Sequence, residues 1–141
     1  MSAGTGVTHS EKNASSVSPS HLVQMWVLPD TEGIEPSYEQ CDVSERLKSG
    51  ELVTVASGSN AYGAITIHQH DAELLVGRLS PNHTVIVPEA THVHVYIARG
   101  GASIDGVETL LTGDAARLTG AGTPSLTADA LGAEILIWAT A

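Results

Sequence analysis

HVHVYIARGGASIDG, residues His92–Gly106, is the stretch whose reading decides the fold. In its first half Val93, Val95 and Ile97 alternate with His92 and His94. A period of two puts the apolar set on one face of an extended chain and the histidines on the other, the pattern of a strand with one side in a core. The stretch closes on Ile104-Asp105-Gly106-Val107. Asp-Gly tolerates the positive φ of a two-residue type I′ turn, so a hairpin is predicted there. Gly100-Gly101 reads as a turn that divides His92–Ala98 from a further short strand at Ala102–Asp105.

Working outward, similar runs occur at Glu51–Ala56, Ala64–His70, Glu73–Leu79, Thr84–Val87, Asp114–Leu118 and Glu134–Trp138. Turn signals separate them at residues 57–60, Ser80-Pro81-Asn82, Thr112-Gly113 and Gly120–Pro124. Evenly spaced strands without crossover helices imply an antiparallel sandwich or barrel. Upstream, residues 1–20 are rich in Gly, Ser and Thr and read as a loop or tail. Leu22–Leu28 is a strand candidate stopped by Pro29-Asp30 and Gly33, and Ile34–Leu47 is a connector with at most one helical turn near Ser44–Lys48. Trp26 and Trp138 lie within strand candidates, and core packing is expected of both.

The 141 residues are 42% hydrophobic, with no Phe, enough for one domain with a core. Six Lys and Arg against 16 Asp and Glu give a net charge of −10. An acidic chain gains nothing from counterion release on nucleic acid and is repelled by anionic membranes, so neither partner is expected. Cys41 is the only cysteine, which rules out an internal disulfide and suits a reducing compartment. The N-terminus lacks a basic stretch followed by an apolar core, and a cytoplasmic location is expected.

Two segments carry a resemblance to a known family. Gly4-Thr5-Gly6-Val7-Thr8-His9-Ser10-Glu11 resembles the Gly-x-Gly…His-Ser-Glu segment of pirin-like proteins, and His21–Pro29 resembles the strand that follows it. Tyr38-Glu39-Gln40 is similar to that family's inter-domain linker, and Ile67-His68-Gln69-His70-Asp71-Ala72 to its Ile-His-Gln-Asp-Ala with one residue inserted. The resemblance implies an all-β fold, a cupin-type antiparallel β-barrel of jelly-roll (double-stranded β-helix) form with an N-terminal extension. Residues 1–34 would be the remnant of a metal-binding first barrel, partly extended; 35–50 a linker; and 51–141 the second, C-terminal barrel.

Pirins hold a non-haem metal, usually iron, on two histidines of a His-x-His segment and on the His and Glu of His-Ser-Glu. Only His9 and Glu11 have counterparts here, the His-x-His segment belonging upstream of Met1. Two donors are too few for a non-haem oxygenase site, which needs at least three. His68, His70, His92 and His94 are weaker metal candidates, set in pairs at strand period. Their bland alternative is hydrogen bonding or packing, because no histidine follows His94 to serve as a late barrel ligand. Asp71 and Glu73 have no positioned nucleophile beside them, and Cys41 has no basic neighbour to activate it.

Two main readings of function follow, with a small-molecule sensor that uses the barrel mouth as its pocket as a third, for which no residue can be named. In the first, the chain is a structural or interaction module with no metal of its own, whose Leu22–Leu28 edge pairs with a second copy to give a homodimer. In the second, it is a metal-dependent dioxygenase of the quercetin 2,3-dioxygenase type, completed by ligands from another chain or a longer protein. The metal would then act as a Lewis acid on a small phenolic ligand, with Glu11 as the catalytic base.

Overall fold

The computed structural model describes all 141 residues, apart from the side chains of Val107 and Glu108. Eight strands make the fold: β1 (Val53–Ser57), β2 (Ile65–Thr66), β3 (Ala72–Leu79), β4 (Thr84–Ile86), β5 (His92–Ile104), β6 (Val107–Leu111), β7 (Ala115–Thr119) and β8 (Ser125–Thr140). A single 3₁₀ turn, Arg46–Ser49, precedes them at the place where one helical turn is expected. The Arg46 guanidinium donates to the carbonyls of Gly63 and Thr54, which ties the connector to β1.

The all-β cupin architecture expected from the sequence is present. Its backbone is a pair of long strands, β5 and β8, which run antiparallel from His92↔Thr140 to Ile104↔Leu126. Both change neighbours midway. The first half of β5 pairs with β7 and its second half with β6; the second half of β8 pairs with β3 and its first half with β4. Strands that bend from one sheet into another are how a jelly roll turns its corners. β1 adds to β3 antiparallel, and β2 adds to β1 in parallel, the one exception to the antiparallel rule among the described pairs.

The bend explains where the sequence reading departs from the structure. Gly100-Gly101 is not a turn; β5 runs straight through it with register shifts at Ile97/Arg99 and Gly100/Ala102. Gly100 takes a φ of 74°, and a Cβ there would collide with the Gly132 carbonyl oxygen of β8. A bulge with a glycine at close backbone approach preserves a strand while bending it. For the same reason Glu134–Trp138 is only the end of a strand that begins at Ser125. The hairpin at Asp105-Gly106 forms, but only Gly106 has positive φ, so the turn is not type I′. Asp105 is instead held against β8, its amide donating to the Ser125 carbonyl and its carboxylate accepting from the Ser125 amide.

Alternation along β5 and β8 sorts the side chains into two layers. Val95, Ile97, Ile135, Ile137 and Leu126 point inward and are completely buried, forming the barrel core with Val87. On the opposite face Ala56, Leu74, Ala98 and Leu136 form a second apolar cluster, flanked by Tyr96 and Trp138. Its cover is the N-terminal segment. Leu22–Leu28 forms no strand and joins no ladder, contrary to the strand expected there. It lies over the face of the sheet rather than along an edge, with Val23 and Met25 packed down on the cluster.

If backbone approach at the bend sets the β5–β8 corner, Gly100→Ala will destabilise the protein by about 3 kcal/mol or more, from αL strain and the clash together. Gly113→Ala, where φ is 93° and no atom lies within 4 Å of the added Cβ, will cost only the strain, about 1–2 kcal/mol. Urea unfolding midpoints of the two variants measure the difference.

Candidate functional site

Three places bring chemistry-bearing side chains to the surface. The first is the N-terminal segment, where the His9 Nε2 stands 3.9 Å from a Glu11 carboxylate oxygen. Both side chains are largely exposed, at 39% and 53%. The segment is not a strand; it loops back so that Ser2 and Ser37 exchange main-chain hydrogen bonds.

The second is the loop after β2. β2 ends at Thr66, so His68 and His70 lie in a bend and not on the longer strand Ala64–His70. Here the main chain does the holding. The Asp30 amide donates to the His68 carbonyl at 2.8 Å, and the Asp30 carboxylate accepts from the His70 amide at 2.6 Å. These bonds pin the far end of the covering segment to the barrel, while both imidazoles stay exposed.

The third is the outer face of the barrel. Cross-strand partners share a face. His94 therefore sits in a row between Trp138 on β8 and Arg117 on β7, and His92 in the next row between Thr140 and Thr119. His92 Nδ1 lies 3.3 Å from the Thr119 hydroxyl. With Val23–Val27 arching over them, these rows line an open cleft of about 760 Å³. The Trp138 indole N–H donates to the Met25 sulfur at 3.2 Å, which joins roof to floor. Trp138 thus packs in the outer layer, and Trp26, expected in a core, is 87% exposed. Sequence reasoning found the two histidines but missed Arg117 and the cleft. Only the register of three strands brings those residues together.

A divalent metal, which the family resemblance implies, can be tested against these residues. His9 and Glu11 supply two donors in solvent, His68 and His70 share the loop after β2, and His92 and His94 lie together on β5. Among the described residues no three His, Cys, Asp or Glu side chains converge on one point. The donor set present does not fit a complete metal site, which needs three or more. The Asp42 carboxyl is held below its ordinary range by the hydroxyl and amide of Ser44, a local turn that introduces the 3₁₀ segment.

Comparison with known proteins sets these features in a lineage. Residues 54–138 match the family model of the quercetinase C-terminal cupin domain. A Mycobacterium tuberculosis protein named "Putative quercetin 2,3-dioxygenase" is 45% identical over 139 residues, 98% of this chain and 57% of its own length. The quercetin 2,3-dioxygenase of Escherichia coli K12 is 34% identical over 77% of this chain and 46% of its own. The chain therefore spans about half the length of the curated relatives it matches. Among solved structures, YhhW from Escherichia coli superposes with a TM-score of 0.70 at 23% identity, over 82% of this chain and 48% of that one. A nickel(II) complex of the same bacterial pirin superposes at 0.68 and 22% identity, over 82% and 48%.

If Asp30 is the pin of the covering segment, Asp30→Ala will leave the barrel's melting temperature within a few degrees of the parent. Amides of residues 22–30 will exchange distinctly faster, an opening free energy lower by about 1–2 kcal/mol. Hydrogen-exchange mass spectrometry reads this directly.

Proposed function

The chain belongs to the pirin family of cupin proteins, and from that premise we propose that it acts as a structural or interaction module, a cupin scaffold without a catalytic site of its own. The aliphatic filling of the barrel carries this reading. Val95, Ile97, Ile135 and Ile137 occupy the interior at 0% exposure, where a cupin centre would need imidazoles and carboxylates. An ion placed among them would carry a desolvation penalty of several kcal/mol with nothing to offset it. The His9–Glu11 pair, outside the barrel, is half of a site and is presented on an exposed segment.

A homodimer is part of the same proposal. The upper side of the covering segment shows Leu22, Trp26 and Leu28 to solvent, at 60%, 87% and 84% exposure. Main-chain groups of residues 22–27 have no backbone partner among the described residues. A segment with free N–H and C=O groups and an apolar stripe favours pairing with a second copy. A cytoplasmic location accords with the single, unpaired Cys41.

A second reading is a dioxygenase of the quercetin 2,3-dioxygenase type, in which another chain or a longer protein adds ligands to His9 and Glu11. The names of its relatives favour it, and so does the nickel(II) bound to the pirin neighbour. Among the described residues no side chain joins His9 and Glu11 to complete that centre.

Elemental analysis after loading with Fe(II) or Ni(II) and desalting will find well under one metal per chain, with no quercetin turnover. Near-stoichiometric metal that disappears in His9→Ala would overturn the module reading in favour of the enzyme. Light scattering at micromolar concentration will give a dimer that Trp26→Ser weakens at least tenfold, as expected for an aromatic anchor at an interface. A monomer, with residues 22–28 exchanging at the free rate, would remove the homodimer.

A further inference from the structure

We propose that the cleft on the outer face of the barrel is a binding site for a small planar aromatic carboxylate. Although the chain carries 16 Asp and Glu, none of those among the described residues lines the cleft. Of its six Lys and Arg residues, Lys48 is paired with Glu45 and Arg78 with Glu134, while Lys12 stands on the exposed N-terminal segment away from the cleft. Arg46 is spent on two carbonyls, and Arg99 donates to His21. Arg117 reaches into the cleft wall with no carboxylate in salt-bridge range among the described residues. A guanidinium without a carboxylate partner among the described residues, in a concave wall of an acidic protein, is a local attractor for an anion. Its planar fork matches a carboxylate in particular.

The remaining walls select shape. Trp138 borders this cleft on the barrel side, with Tyr96 beside it, while the Trp26 indole faces solvent on the other side of the covering segment. Indole and phenol faces favour a flat aromatic body, stacked or edge-on. His94 stands between Trp138 and Arg117, and the Thr119 and Thr140 hydroxyls flank His92. Imidazole N–H and hydroxyl groups can donate to the carboxylate oxygens that Arg117 leaves free. The volume, about 760 Å³, falls within the usual size range of small-molecule pockets. Below the cleft, the strands are braced by the completely buried Ile97, Ile135 and Ile137, so the floor is rigid. The roof is tied to the barrel at His21 and Asp30 and, through the Met25 sulfur, to Trp138.

This site differs from any pirin metal centre, and it stands or falls independently of the module reading. The test uses the whole chain and isothermal titration calorimetry, with naphthalene-1-carboxylate as probe and the neutral naphthalene-1-methanol as control. The carboxylate will bind with a stoichiometry near one, at least tenfold tighter than the alcohol. Arg117→Gln, a change of an exposed side chain, will weaken the carboxylate roughly tenfold or more and leave the alcohol unaffected, as loss of a charge-assisted hydrogen bond requires. Arg78→Gln, which removes a cation already paired with Glu134, will change neither. Equal affinity for acid and alcohol, an Arg117→Gln variant that binds like the parent, or no binding at millimolar probe would each overturn the proposal.

Discussion

A strand can present only two faces, and β5 uses both. Val93, Val95 and Ile97 fill the barrel while His92, His94 and Tyr96 face outward, because successive side chains must point opposite ways. A one-residue slip in register would place imidazoles among buried aliphatic groups and expose the aliphatic ones, so pairing with β8 along His92–Ile104 is strongly specified. Everything else follows from that division. The interior becomes an unbroken apolar core, and polar chemistry is confined to the outside of the same strands.

The outer face would itself be a liability without a cover, since Leu74, Leu136, Tyr96 and Trp138 make it substantially apolar. The Val23–Val27 segment meets this need by laying alternate side chains on the face. It leaves Leu22, Trp26 and Leu28 on its other side without partners. One segment therefore has two roles. It buries the outer layer of the barrel, and it supplies the surface through which a second copy is proposed to dock. The chain spans about half of its curated relatives, and the exposed stripe belongs to the part of the sequence that resembles the family's first barrel.

How much of this was legible in the sequence depends on the range of the interaction involved. Period-two alternation is local, so the cores of β3, β5 and β7 are readable from residues 72–79, 92–98 and 115–118. Gly100 and Gly132 carry a long-range message. Their glycines serve close backbone approach between two strands, and a single sequence cannot distinguish that from a turn. Leu22–Leu28 has the alternation of a strand, but it packs on a face instead of joining a ladder, and pattern alone does not separate the two. Of the candidate site residues, the histidines are visible as pairs. Arg117 acquires meaning only when β7 is set beside β5 in the register His94↔Arg117.

The division of β5 into a sealed side and an open side can be measured at neighbouring positions. With Cys41→Ser as background, single cysteines placed as His94→Cys and Val95→Cys would be challenged with a thiol reagent under native conditions. The account predicts rapid labelling at position 94 and protection at position 95 until global unfolding. Labelling at position 95 as fast as at 94, in protein that remains folded by circular dichroism, would contradict it.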